Sequence, residues 1–126
     1  MEMHELRERL MPVFLEELQE CVSDMRRHLL LLQQDPEKSV REMLVNELYR
    51  AAHKIKGAAN AADVRTIEKL CRQMQDILTA VRDGQRTIDN NLLSQFSEAV
   101  CFLEVSAARL RDGGSLGSAA EIFSRA

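Results

Sequence analysis

The chain has 126 residues, with 17 Lys and Arg against 20 Asp and Glu and a formal net charge of −3. That length holds one core and excludes two independent ones, and the charge balance excludes a protein built to coat nucleic acid, which carries a strong basic excess. A hydrophobic fraction of 45% excludes a disordered tail, while 5 Gly, 2 Pro, 4 Phe, 1 Tyr and no Trp are too few turn and aromatic residues for a sandwich or barrel.

Helices are therefore expected, and punctuation divides them. Leu6, Leu10, Val13, Phe14, Leu18, Cys21, Val22, Met25, Leu29 and Leu32 recur at steps of three and four, which predicts one long amphipathic helix closed by Asp35-Pro36. Pro12 lies inside it, so its first turns are expected to be kinked or separate. A second helix is predicted from about Glu37 to Ala62, with Leu44, Leu48, Ala51, Ile55, Ala59 and Ala62 along one stripe. A third begins near Asp63 as N-cap, places Ile67, Leu70, Cys71, Met74, Leu78 and Val81 on one face, and stops at Asp83-Gly84. The fourth follows Thr87-Ile88-Asp89-Asn90, turns Leu92, Phe96, Ala99, Val100, Leu103, Ala107 and Leu110 inward, and ends at Asp112-Gly113-Gly114. Four such stripes joined by short connections predict an all-α antiparallel four-helix bundle over residues 1–114. Residues 115–126 read either as a short fifth helix around Ala119 to Ser124 or as a linker toward further domains.

No apolar run approaches the ~20 residues that cross a bilayer, and Met1-Glu2-Met3-His4-Glu5 lacks the basic-then-apolar order of a signal peptide. Cys21, Cys71 and Cys101 are odd in number, far apart and without a CxxC. They read as buried thiols of a reducing compartment, so the chain is expected in the cytoplasm, without membrane insertion and without a metal centre.

The informative residues are those the bundle does not need. With Leu48 centring the second stripe, His53 falls about 140° away, Gly57 about 180°, Asn60 about 120° and Lys56 about 80°. Gly57 costs about 1 kcal/mol in a helix interior relative to Ala, and nothing in a solvent face asks for it. It leaves room to approach the backbone beside His53, while Lys54 and Lys56 add positive charge. An exposed imidazole, a cleared approach and local cations suit a nucleophile that carries an anionic group, phosphoryl above all. Gln75, about 100° from Met74 on the third helix, is placed to reach a neighbouring helix and accept a hydrogen bond from the imidazole through its amide oxygen, fixing the tautomer. His4 and His28 read as solvated residues, Tyr49 as packing at the core edge, and the methionines as core filler.

The stretch from Leu48 to Ala59, with its core His53-x-x-Lys56-Gly57, resembles the signature of histidine-containing phosphotransfer domains. It is most like the N-terminal phosphotransfer domain of CheA-type chemotaxis histidine kinases, and the likeness extends over most of the chain. The resemblance implies that His53 is phosphorylated, that Lys56 sits near the phosphoryl group, that Gly57 admits the partner domain, and that Gln75 hydrogen-bonds the imidazole. It implies two partners, a histidine-kinase ATP-binding domain and a response-regulator receiver domain, with ATP and Mg held by the partners and no cofactor in this chain. Alone the chain would be a phosphoryl carrier, and in its parent the phospho-acceptor domain of a CheA-type kinase.

Two positions depart from the pattern. Gln75 stands where CheA proteins commonly have Glu, as in domains that shuttle phosphoryl groups between receivers. A neutral amide stabilises a cationic imidazole less than a carboxylate does, which implies slower autokinase acceptance. Asn60 and Asp63 stand where the family often has glycines, and both residue types tolerate a left-handed turn. The rival reading is a non-catalytic helical adaptor or dimerisation bundle whose His53 is incidental. Partner choice would rest on the exposed Asn46, Arg50, Lys54, Asn60 and Arg72.

Overall fold

In the computed structural model, which describes residues 2–123, the apolar stripes become four helices: α1 (Met3–Gln33), α2 (Lys38–Ala61), α3 (Arg65–Arg82) and α4 (Asn90–Arg111). Their ends follow local chemistry. α4 starts where the Asp89 carboxylate accepts a 2.8 Å hydrogen bond from the Leu92 amide, which satisfies one of the orphan donors of a first turn. α3 stops where Gly84 takes φ +77° and the Gln85 amide donates back to the Ala80 carbonyl at 2.9 Å, the glycine-terminated pattern that caps the last carbonyls.

α2 packs mainly on α3 and α1, and α1 on α4, whereas α3 barely touches α4. The core runs down the middle of these packings through Phe14, Leu18, Met25, Leu48, Ile55 and Leu103, each at most 2% exposed. Burying a side chain of this size contributes about 1.5–3 kcal/mol. The expected four-helix bundle is present in α1 to α4, with its α3–α4 side left thin. The following segment closes that side. Ala119 and Ile122 are buried, and the Phe123 ring meets Phe96 edge-on with centroids 5.0 Å apart.

Several expectations change. α1 runs through Pro12 unbroken, but Leu6 and Val13 are exposed, because they fall about 120° and about 140° around the helix from the buried Leu18, off the stripe that faces the core. Ala52, not Ala51, lies wholly in the core of α2. Asp63 is no N-cap. It sits at φ +60°, one residue before the Val64 cap of α3, and ends α2 in the left-handed geometry that Asp tolerates. The amide of Val64 then donates to the Ala59 carbonyl at 2.8 Å. Residues 120–123 form turns and not a fifth helix, and Ser124 lies outside the described residues. Cys101 is exposed, unlike Cys21 and Cys71. Met25 and Met74 fill the core as expected, yet Met3 and Met43 are exposed. No described helix is long and apolar enough to cross a membrane.

Candidate functional site

α2 carries its apolar set on the face turned to α1 and α3, which puts His53 on the outer side near the α3 boundary, exposed. From α3, Gln75 reaches the ring: its Nε2 stands 3.1 Å from His53 Nδ1. Gln75 is only 5% exposed, so it is a buried positioning amide and not a surface one. No carboxylate lies within salt-bridge distance of the His53 ring among the described residues, and the hydrogen bond to Gln75 holds Nδ1 alone. Nε2 is the ring nitrogen that makes no hydrogen bond within the described residues.

The direction of that bond differs from expectation. The amide nitrogen faces Nδ1 where the oxygen was expected, and Gln75 Oε1 is buried without a partner. The physical reason is that an amide's oxygen and nitrogen ends are isosteric, so either fits the same slot. With the nitrogen donating, Nδ1 accepts.

One turn along α2, Gly57 is exposed with an ordinary helical φ. A Cβ built there would meet nothing within 4 Å. The fold therefore makes no demand for glycine at this position, and the open lane beside His53 is real. The half-buried Lys56 has no carboxylate within 4.0 Å among the described residues, whereas Lys54 is turned aside to Glu17 of α1 at 3.5 Å. Of the two lysines expected around the imidazole, only Lys56 is thus uncommitted. Its charge reaches the buried Cys71 on α3, where it opposes, without overcoming, the burial that pushes that thiol up to about 12. Glu17 went unnoticed in the sequence, since nothing local announces a pair that joins two helices across 37 positions.

The other singled-out residues lie around this centre. Tyr49 is half-buried beneath Arg82, whose guanidinium carbon is 5.3 Å from the ring centroid, a cation–π contact. Asn46 and Asn60 are exposed, Arg50 pairs with Glu47 at 3.3 Å, and Arg72 approaches Glu68 at 4.0 Å. His28 is half-buried with its Nδ1 unpartnered, contrary to a solvated reading, while His4 is exposed beside Glu2. Ligand atoms of Glu2, His4 and Glu5 gather within 4.8 Å of one another, beyond the end of the bundle where Arg7 meets Asp63. Exposed acidic groups commonly gather so without an ion.

The family model for the Hpt domain matches residues 9–112, from the second turn of α1 to the end of α4. The chain belongs to the Hpt domain family. Over 106 residues this Hpt domain is 30% identical to the chemotaxis protein CheA of Borreliella burgdorferi, covering 84% of the chain and 12% of that protein. It is 30% identical over 102 residues to the CheA of Bacillus subtilis, covering 81% and 15%. Over 106 residues it is 27% identical to the sensor histidine kinase CheAY of Helicobacter pylori, covering 84% and 13%. The chain thus spans between 12% and 15% of the length of these relatives.

Proposed function

We propose that this Hpt domain accepts a phosphoryl group on Nε2 of His53 and yields it to the aspartate of a response-regulator receiver domain, as the phospho-acceptor part of a chemotaxis histidine kinase in the cytoplasm. The observation that carries the reading is the exposed His53 ring, held through Nδ1 by a buried amide, beside a glycine that the fold itself does not require. The proton of the neutral ring moves to Nδ1, where the oxygen end of the Gln75 amide accepts it, and the lone pair so freed on Nε2 forms the N–P bond as the bond to the leaving oxygen of ATP breaks and ADP departs with that pair. In the second transfer a receiver carboxylate attacks phosphorus, and the N–P pair returns to Nε2.

Such transfers are mostly positioning and charge neutralisation. Gln75 positions the ring, Lys56 offers its ammonium to the phosphoryl oxygens, and Gly57 lets the partner's backbone come close. Nucleotide and magnesium belong to the partner domains, so this chain supplies the acceptor and one cation. Incubation with a histidine-kinase ATP-binding domain and labelled ATP is expected to give acid-labile, base-stable label that His53→Gln abolishes. Label that survives in that variant refutes the reading. A wild-type domain that takes no label from ATP, or from a small phosphoramidate donor, leaves the adaptor bundle standing instead.

A further inference from the structure

A second charged surface lies two turns along α2 from the acceptor ring. Where the start of α2 meets the end of α3, a groove of about 440 Å³ opens between Lys38, Arg41, Arg82 and Arg86, with Glu42 the only carboxylate among its lining residues. Four of the chain's 17 Lys and Arg thus gather here with one of its 20 Asp and Glu, in a protein of net charge −3. All four cations are exposed, and none forms an ion pair among the described residues. The floor between them is apolar, built from Val45, Val81 and Ile88. The bundle itself has no use for such a cluster, because like charges held together repel.

Two of the cations are held in place without being neutralised. The Arg41 guanidinium donates to the Pro36 carbonyl at 3.2 Å, and Arg82 rests over the Tyr49 ring. A carbonyl and an aromatic face fix the position of a guanidinium and leave its charge for another partner, so an anion that binds there costs less side-chain freedom. Tyr49 also ties the groove to the site, since it precedes His53 by one turn of α2. Asn46, which lines the groove, precedes His53 by seven residues. At 100° and 1.5 Å per residue the two lie about 20° apart on one face and about 10 Å apart along it.

We propose that this groove docks an acidic segment of the receiver domain that takes the phosphoryl group from His53. The proposal rests on the reading of His53 as acceptor. An ordinary interface covers about 800 Å² on each partner, so one centred on His53 extends past Asn46 into the groove. Forked guanidiniums bind carboxylates through paired N–H donors. A receiver is a separate, diffusing protein, and opposite charge accelerates its encounter. The ATP-binding domain of the proposed parent kinase is tethered to this one, and its effective concentration comes from the linker instead.

The test mixes the domain, phosphorylated by a phosphoramidate salt, with the chemotaxis receiver domain of the same organism at low ionic strength. In Arg41→Glu/Arg86→Glu the second-order rate of transfer is expected to fall about tenfold to a hundredfold, within the range that charge steering spans. Transfer within the saturated complex should keep the wild-type rate. Added salt should close the gap, since exposed charges are screened beyond about 8 Å at physiological ionic strength. Arg109→Glu/Arg111→Glu makes the same change of charge at the end of α4 and is expected to transfer as wild type, with helical circular dichroism kept in both variants. Calorimetric titration of the receiver into the unphosphorylated domain should show the groove variant weakened by the same factor. Wild-type transfer and binding in the groove variant, equal losses in the α4 variant, or a loss confined to labelling by the ATP-binding domain each overturn the proposal. A wild-type domain that takes no phosphoryl group from the small donor overturns the acceptor reading instead, and the titration still decides the groove.

Discussion

Gly57 separates what the fold needs from what the chemistry needs. Its φ is ordinary for a helix, since the positive-φ glycines are Gly84 and Gly113, and a Cβ added to it meets nothing within 4 Å. Gly57→Ala therefore removes only the entropic penalty of glycine and is expected to stabilise the domain by about 1 kcal/mol. For a chain of this size that raises the melting temperature by roughly 3–5 °C, measurable by calorimetry or urea titration. The same methyl group narrows the lane beside His53. Gly57→Leu fills it, and transfer from the phosphorylated domain to a receiver is expected to slow by about tenfold to a hundredfold, the penalty of misplacing reacting groups by about 1 Å. Phosphorylation by a small phosphoramidate, which needs no docked partner, should be unchanged in both variants. Loss of stability in Gly57→Ala, or wild-type transfer rates in Gly57→Leu, would refute the reasoning.

Lys56→Ala is expected to slow transfer roughly tenfold, the worth of a hydrogen bond to a charged group, and Lys56→Arg to restore most of it. Both should melt close to wild type, because Lys56 makes no ion pair within the described fold. Among the cysteines, Cys101 is expected to alkylate readily in the native state, while Cys21 and Cys71, raised mainly by burial, resist. The Cys71 thiol goes from 9.0 in the open chain to about 12 in the fold, so between those values the folded state keeps a proton that the unfolded state releases. Its share of stability is complete below about pH 9 and lost as pH climbs toward 12. The stability gap between wild type and Cys71→Ala in urea titrations should narrow over that window, and a constant gap would contradict the burial of the thiol.

The helices were legible because period-3.6 spacing reports burial wherever a neighbour exists to provide it. Leu18, Leu48, Ile55 and Leu103 are buried as that spacing predicts. Leu6 and Val13 are joined to Leu10 by steps of four and three, yet at 100° per residue they fall about 120° and about 140° from Leu18, on the outer face of α1, and are exposed. Asp63 showed a polar residue at a helix junction, and polar residues serve both as N-caps and as left-handed terminators. The choice between them was made by the backbone of Ala59 to Val64 and not by residue type. At the site, His53 and Gly57 stood out because each violates what a solvent face of a helix wants. Gln75 was placed toward the ring by its position on the edge of the α3 stripe, but its burial was not legible, since it arises from α2 and α3 together. The pairing of Lys54 with Glu17 and the packing of Ile122 and Phe123 are likewise long-range outcomes that no local pattern encodes.

The junction between α2 and α3 works as a caliper. It has three residues, and two of them, Ala62 and Val64, are buried, so the hairpin has no slack in which to absorb a change of length. Removing one residue there would shift α3 by about 1.5 Å along its axis and about 100° around it. The leucines of α3 can find new seats among neighbours of similar shape, but an amide that must meet one ring nitrogen cannot. The 22 positions between His53 and Gln75 are thus a measured length, and the bundle would tolerate its alteration far better than the imidazole.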